Sequence, residues 1–131
     1  MTLLMSRTLK TTLTADAFIS SAAAALIALG APMLHKLVGL PMNFMIAAGV
    51  SLIPFIAVLL WMIWQDRVAR GLVVAIIALN FAWGGLSLFA AFGPLLAPTL
   101  LGKVFIIAQA VAVLIFAAFQ MMGLKRSPAA A

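Results

Sequence analysis

The sequence has no cysteine, one histidine and two acidic residues, and these shortages exclude several kinds of site. Without cysteine there can be no disulfide, thiolate metal ligand, iron–sulfur cluster or cysteine nucleophile. A single histidine, His35, cannot give the bis-histidine ligation of a membrane cytochrome. Two carboxylates, Asp16 and Asp66, do not make a cage for a hard cation or an acid–base pair. We therefore predict no catalytic residues, no metal site, no cofactor and no enzymatic activity.

Charge is also scarce, because only 8% of the 131 residues are charged while 67% are hydrophobic. Soluble domains carry roughly 25% charged residues, so much of this apolar surface must face lipid. The formal net charge of +6 would suggest nucleic acid in a soluble protein. Here the basic residues flank apolar runs instead of forming one basic face, which indicates membrane topology and no nucleic-acid partner.

Four apolar segments are present, separated by stretches rich in glycine and proline, such as "GAPMLHKLVGLP" and "FGPLLAPTLLGK". Each is close to the roughly 20 residues that a helix needs to cross a bilayer, and none alternates as a strand would. The predicted fold class is all-α, a polytopic membrane protein with a four-transmembrane-helix bundle forming a single domain, residues 1–131. The predicted helices cover about residues 15–34, 41–64, 71–92 and 101–124.

The basic residues predict the orientation of the bundle. If the N-terminus is cytoplasmic, six basic residues lie inside and only Lys36 and Lys103 lie outside. Short cytoplasmic loops are enriched in Lys and Arg, so both termini are predicted to be cytoplasmic, in a bacterial inner membrane. An alternative is that the first segment, with its basic start and small residues near Gly30, is a cleaved signal peptide. The residues before Thr14 and after Leu124 are predicted to be loosely ordered.

The segment "ALNFAWGGLSLFAA" places an asparagine, a tryptophan and two glycines in an otherwise apolar run. Helical spacing puts Asn80, Trp83, Gly84 and Ser87 on one face. Small residues and an amide on one face are typical of a seam where membrane helices pack closely. The same groups could instead line a pocket for a small ligand, so both interpretations stay open, with packing favoured.

Gln109 on the fourth segment is a candidate partner for this face. The fourth helix runs opposite to the third, and the rise per residue places Gln109 roughly 8 Å from Asn80 in depth. A direct bond between these two amides is therefore not expected. Gln109 should lie at the level of Trp83 and Gly84.

Asp16 is the one acidic residue that could enter the hydrocarbon. If the first helix begins near Thr14, Asp16 lies in the first turn, where a carboxylate complements the helix dipole. The threonines before it favour this interfacial position, because they offer N-caps. If the helix begins near Leu9, Asp16 lies about 10 Å along it and could bind a proton or cation.

Four stretches, "SRTLKTTLTADAF", "QDRVAR", "ALNFAWGG" and "QMMGLKR", resemble small four-helix inner-membrane proteins of bacteria. The architecture is similar to the DoxX-like group, and the resemblance covers nearly all of the chain. It implies the four-helix fold, and no functional residue can be carried over from it.

Two functions are compatible with these features. The favoured hypothesis is a non-enzymatic accessory subunit, scaffold or homo-oligomer that acts on a membrane-protein partner through its small-residue helix faces. The alternative is a small transporter or channel for a solute or ion, with Asn80, Trp83, Gln109 and Asp16 along its route.

Overall fold

The computed structural model describes residues 1–129, which form a bundle of four long helices and a pair of very short strands. The helices are α1 (Arg7–Val38), α2 (Met42–Ile63), α3 (Arg70–Phe92) and α4 (Leu100–Arg126). The strands are β1 (Thr2–Leu4) and β2 (Arg67–Ala69). All four helices are long and apolar enough to cross a membrane. The predicted all-α four-helix fold class is confirmed.

The helices are arranged in the order α2, α1, α4, α3 around the bundle. Helix α1 packs on α2 and on α4, and α4 packs on α3. Helices α2 and α3, although consecutive in the chain, make few contacts along their length. Neighbouring helices therefore pack together on three sides of the bundle, and on the fourth side α2 and α3 are parted from each other.

Helix α1 is longer at both ends than the predicted segment 15–34. It begins at Arg7 because the Ser6 hydroxyl accepts a hydrogen bond from the Leu9 backbone amide, a normal N-cap. The threonines that were expected to offer N-caps lie inside the helix. There the hydroxyls of Thr12 and Thr14 donate to backbone carbonyls of the preceding turn. The bounds of the other three helices agree with the predicted ones to within two residues.

The other end of α1 is set by Gly39 and not by the glycine and proline before it. Gly30 and Pro32 both lie within the helix. Gly39 has a φ of 72°, the left-handed conformation that glycine adopts at low cost, and its amide donates to the His35 carbonyl. The pattern "GAP" therefore gave a false stop signal two turns too early.

Both ends of the chain are ordered against the connection between α2 and α3. Strand β1 pairs antiparallel with β2, and Leu3, which is buried, also bridges to Ala129. The predicted loose N-terminus is thus wrong, because its backbone donors and acceptors are used in this pairing. The C-terminal tail is fixed by a bond from the Leu4 amide to the Pro128 carbonyl. Residues 130–131 of that predicted tail lie outside the described residues.

This end of the bundle also holds most of the basic residues. Arg126 donates to the Thr8 hydroxyl, which joins the last turn of α4 to the first turn of α1. The basic side chains here are exposed: Arg7, Lys10, Arg67, Arg70, Lys125 and Arg126. Lys36 and Lys103 lie at the opposite end, where the Thr99 amide donates to the Val38 carbonyl. The bundle is therefore strongly polarised in charge.

The apolar interior is divided into two clusters, one near each end. The cluster beside the termini is built from α1, α2 and α3 around Leu13, Leu59 and Val73. The cluster at the opposite end includes Ala31, Met45 and Ile106. The buried polar residues adjoin the first of these clusters, since Asp16 lies between its members Leu13 and Ala17 along α1.

Candidate functional site

A hydrogen-bonded cluster of four polar side chains lies inside the bundle, nearer the end that holds the chain termini. One carboxylate oxygen of Asp16, Oδ2, accepts from Asn80 Nδ2 at 2.8 Å and from Gln120 Nε2 at 2.8 Å. Asn80 Nδ2 also donates to Gln120 Oε1 at 2.9 Å. The other carboxylate oxygen, Oδ1, accepts from the Ser20 hydroxyl at 3.0 Å. The cluster joins α1, α3 and α4 through side chains alone.

The three central residues are almost completely buried, with exposed fractions of 1% for Asp16, 3% for Asn80 and 0% for Gln120. This corrects the favoured interfacial position of Asp16. Because α1 begins at Arg7, Asp16 lies in the third turn, about 13 Å along the helix at 1.5 Å per residue. It caps no helix end and instead accepts hydrogen bonds from two other helices.

The structure brings Asn80 to a partner that was not among the predicted site residues. As expected, Asn80 is not bonded to Gln109, and its α4 partner is Gln120. The signal for Gln120 was present in the sequence, because its helical spacing puts it on the same face of α4 as Gln109. Helix α4 continues to Arg126, so Gln120 lies within the helix and not at its end.

A second polar pair lies beyond the cluster along α3 and α4. The Trp83 indole Nε1 donates to Gln109 Oε1 at 3.0 Å, and Gln109 Nε2 donates to the Ile106 carbonyl. The expected level of Gln109, beside Trp83, is therefore correct. A Cβ added to Gly84 would lie 2.7 Å from Leu114, so α3 and α4 approach closely at this glycine. Ser87, one turn further on, is half-buried and lies outside the polar cluster.

Next to these polar groups is a cavity of about 420 Å³. All four helices contribute to its wall, which is mostly apolar, including Phe55, Leu79 and Phe116. Its polar lining comes from Asp16, Ser20, Ser51, Asn80, Trp83 and Gln109. Ligand pockets of this size are commonly apolar with a few placed polar groups. Four of the six residues predicted as packing or pocket residues, Asp16, Asn80, Trp83 and Gln109, thus line one cavity, and Gly84 and Ser87 do not.

The cavity opens at the side of the bundle, between α2 and α3. The lining residues fall within four stretches: 16–23 of α1, 51–58 of α2, 72–83 of α3 and 109–116 of α4. The apolar cluster beside the termini extends into this wall, since Ile76 belongs to both, and the second cluster lies beyond these stretches towards the opposite end. Four of the five exposed lining residues are on the two helices that part from each other, namely Ser51, Pro54, Ala75 and Leu79, and the fifth is Ile19 on α1. The mouth is therefore lateral and lies about halfway along the helices.

Asp16 is the only acidic residue within the four helices, since Asp66 lies exposed in the connection before β2. Every arginine is exposed, as are all lysines except the half-buried Lys103 at the far end. Asp16 thus has hydrogen-bond donors around it but no cationic side chain. Within residues 1–129 no group of His, Asp and Glu could hold a metal ion.

The polar groups of the cluster are satisfied. Among the described residues, no buried side-chain nitrogen or oxygen lacks a hydrogen-bond partner. Membrane helices commonly use such bonds to associate, each contributing about 0.6 kcal/mol. The cluster can therefore stabilise the bundle and, at the same time, present a carboxylate and a hydroxyl to the cavity.

Comparisons with known proteins give no match to a family model, to a curated protein or to a solved structure. The resemblance to the DoxX-like group thus stays a prediction.

Proposed function

We propose that the protein is a non-enzymatic, multi-pass protein of the bacterial inner membrane that binds a small solute in the central cavity and transports it. The observation that carries this proposal is the lateral cavity beside a buried carboxylate. Intramembrane carboxylates are costly, and they commonly mark the path of a substrate or ion. A protein that only needed to pack four helices could fill this space with apolar side chains.

The accessory-subunit, scaffold or homo-oligomer hypothesis becomes the second candidate. It was based on small-residue faces that would be free to meet a partner helix. Three such glycines are used within the chain: Gly49 lies against Ala28, Gly84 against Leu114, and Gly123 against Leu9. A Cβ at Gly85 or at Gly71 would meet nothing within 4 Å, and Gly85, well inside α3, is a remaining contact point for a partner helix.

A transporter suits this geometry better than a permanently open channel. The cavity is bounded along the helices by two apolar clusters, which would block ions and water at either end. Passage across the membrane would require one cluster to open. Of the neighbouring pairs, α2 and α3 can separate with the least loss of packing between them, because few contacts join these two helices.

The proposed orientation has both termini in the cytoplasm. Six basic residues at the end formed by β1, β2 and the last turn of α4 would then face inward, against two at the opposite end. Positively charged residues are enriched in cytoplasmic loops, which supports this direction. Trp61 and Trp64 lie exposed at the same end, as expected for indoles at a membrane interface.

The experiment that tests the proposal is gentle extraction of the tagged protein from its host membrane, followed by mass spectrometry of both small molecules and proteins. The key variant is Ala112→Phe, because Ala112 lines the cavity and a phenyl ring there would fill it. Ala118→Phe is the matched control, since Ala118 is exposed on the same helix and does not line the cavity.

A small molecule retained by the native chain and by Ala118→Phe, but lost from Ala112→Phe, is the expected result. Recovery of a stoichiometric protein partner that persists in Ala112→Phe, with no retained small molecule, would favour the accessory-subunit hypothesis instead. Uptake by liposomes containing the purified chain would then separate a transporter from a protein that only binds its ligand.

A further inference from the structure

The cavity wall contains a carboxyl group with no cationic side chain beside it, and this limits what the cavity can hold. Asp16 is buried, and no cationic side chain of residues 1–129 lies inside the bundle. Buried charges in proteins are normally paired with an opposite charge or neutralised. A bound cation is one way to supply the missing charge, and the cavity beside Asp16 offers a place for it.

The two oxygens of the Asp16 carboxylate are not equally occupied. Oδ2 accepts two hydrogen bonds, from Asn80 and Gln120, whereas Oδ1 accepts only one, from Ser20. A carboxylate oxygen has room for two donors, so Oδ1 retains an acceptor position. Ser20 is half-buried and lines the cavity. A donor in the cavity could therefore reach Oδ1 beside the Ser20 hydroxyl, or donate to the hydroxyl oxygen itself.

The rest of the cavity favours an apolar ligand body. Most of its wall is aliphatic or aromatic, and its mouth lies between α2 and α3, halfway along two helices that are apolar enough to span a bilayer. A ligand entering there would come from the hydrocarbon and not from water. The Trp83 indole in the same wall would attract a cationic head as well, since aromatic rings bind cations.

Building on the proposed function, we infer that the ligand is a lipophilic monocation, an alkylammonium-type molecule that enters from the bilayer between α2 and α3. Its ammonium group donates to Asp16 Oδ1 and to Ser20, and its apolar tail lies along Phe55, Leu79 and Phe116. The cluster of Asn80 and Gln120 holds the carboxylate in place from behind.

The test uses three probes with the same ten-carbon tail and different heads: decylammonium, decanol and decanoate. Binding is measured by titration calorimetry on the full chain in lipid nanodiscs, with empty nanodiscs giving the partition into lipid. Decylammonium should bind saturably and about tenfold or more tightly than decanol, in line with a hydrogen bond to a charged group. Decanoate should show no saturable binding. Equal binding of decylammonium and decanol would overturn the inference.

The two acidic residues of the chain provide a matched pair of variants. Asp16→Asn removes the charge while an amide oxygen can still accept from Asn80 and Gln120, so decylammonium should lose its advantage over decanol. Asp66→Asn makes the same change in charge in the exposed connection and should leave both affinities as they are. An unchanged preference for decylammonium in a folded Asp16→Asn protein would also refute the inference. The probe series on the native chain remains decisive if this variant does not fold.

The inference and the proposed function can fail separately. If decanol and decylammonium bind equally and both are excluded by Ala112→Phe, the cavity is a binding site without charge selection. If none of the probes binds but the native extract carries a ligand that Ala112→Phe loses, the ligand class is wrong and the proposed function stands. If no ligand of any kind depends on Ala112, the proposed function itself is wrong.

Discussion

At the scale of the residue, Asn80 connects three helices, because its single amide nitrogen donates to acceptors on two other helices. These acceptors are Asp16 Oδ2 on α1 and Gln120 Oε1 on α4. Removing the amide leaves both with one donor fewer, and both side chains are buried. The cost is then the desolvation of the abandoned groups, which exceeds the net value of the bonds themselves.

We therefore expect Asn80→Leu to lower the free energy of unfolding by about 1–3 kcal/mol. Trp83→Phe, which removes only the donor to the half-buried Gln109, should cost about 0.6 kcal/mol in hydrogen bonding. Unfolding in mixed micelles with increasing denaturing detergent measures both. A loss for Trp83→Phe as large as that for Asn80→Leu would mean that the central cluster has no special role.

The same variant separates structure from transport. If Asn80 only stabilises the bundle, flux in liposomes should fall in proportion to the amount of folded protein. If Asn80 orients Asp16 towards a ligand, the folded fraction should also lose flux. A variant that changed neither quantity would make Asn80 unimportant for both.

The sequence predicted which residues belong to the site better than it predicted their positions and hydrogen-bond partners. The helical spacing placed Trp83 beside Gln109 correctly, because both lie in helices whose ends were predicted within two residues. It did not place Asp16 correctly, because the start of α1 depends on a serine cap and on contacts with the C-terminal tail. Those contacts are separated by more than a hundred residues in sequence, and no local pattern reveals them.

At the scale of the element, the close approach of α1 and α4 depends on a glycine. A Cβ at Gly123 would lie 2.7 Å from the Cα of Leu9, and a backbone atom cannot turn aside as a side chain can. A Cβ at Gly85, on α3, would meet nothing within 4 Å. The two positions thus distinguish a packing requirement from the general helix propensity of glycine.

Gly123→Ala should force α1 and α4 apart and lower the free energy of unfolding by about 1–3 kcal/mol, as overpacking does. Gly85→Ala should be neutral or raise it by about 0.5–1 kcal/mol, since alanine is the better helix former. If Gly85→Ala instead disrupted an assembly isolated from the host membrane, Gly85 would mark a contact with a partner helix.

The small β-ribbon can be tested by cross-linking, because the natural chain has no cysteine to interfere. Thr2 and Ala69 are directly opposite in the β1–β2 pair. Opposed residues of antiparallel strands are about 4.5–5.5 Å apart at Cα, within the range of a disulfide. The double variant Thr2→Cys with Ala69→Cys should therefore form an intramolecular disulfide under mild oxidation.

The cross-link would be seen as a reducible shift in electrophoretic mobility. Thr2→Cys with Lys103→Cys is the control, since Lys103 lies at the opposite end of the bundle and should form no intramolecular bond. A Thr2–Ala69 pair that failed to oxidise would contradict the order assigned to the N-terminus.

At the scale of the whole molecule, the division of charge between the two ends predicts one orientation. A single cysteine in place of the exposed Leu95, between α3 and α4, should react with a membrane-impermeant maleimide in intact cells. A cysteine in place of Pro128 should react only after the membrane is opened. Equal labelling of both positions in intact cells would indicate a mixed orientation, which six basic residues against two should prevent.

The arrangement of the polar cluster has a consequence for the order of events during synthesis. Asp16 leaves the ribosome early, whereas its partners Asn80 and Gln120 follow 64 and 104 residues later. Through most of translation the first helix therefore has only the Ser20 hydroxyl as a donor to its carboxylate. This makes its transfer into lipid costly and favours its staying beside the insertion machinery. Release becomes favourable when the last helix arrives, so a chain truncated before α4 should be retained at the translocon and degraded.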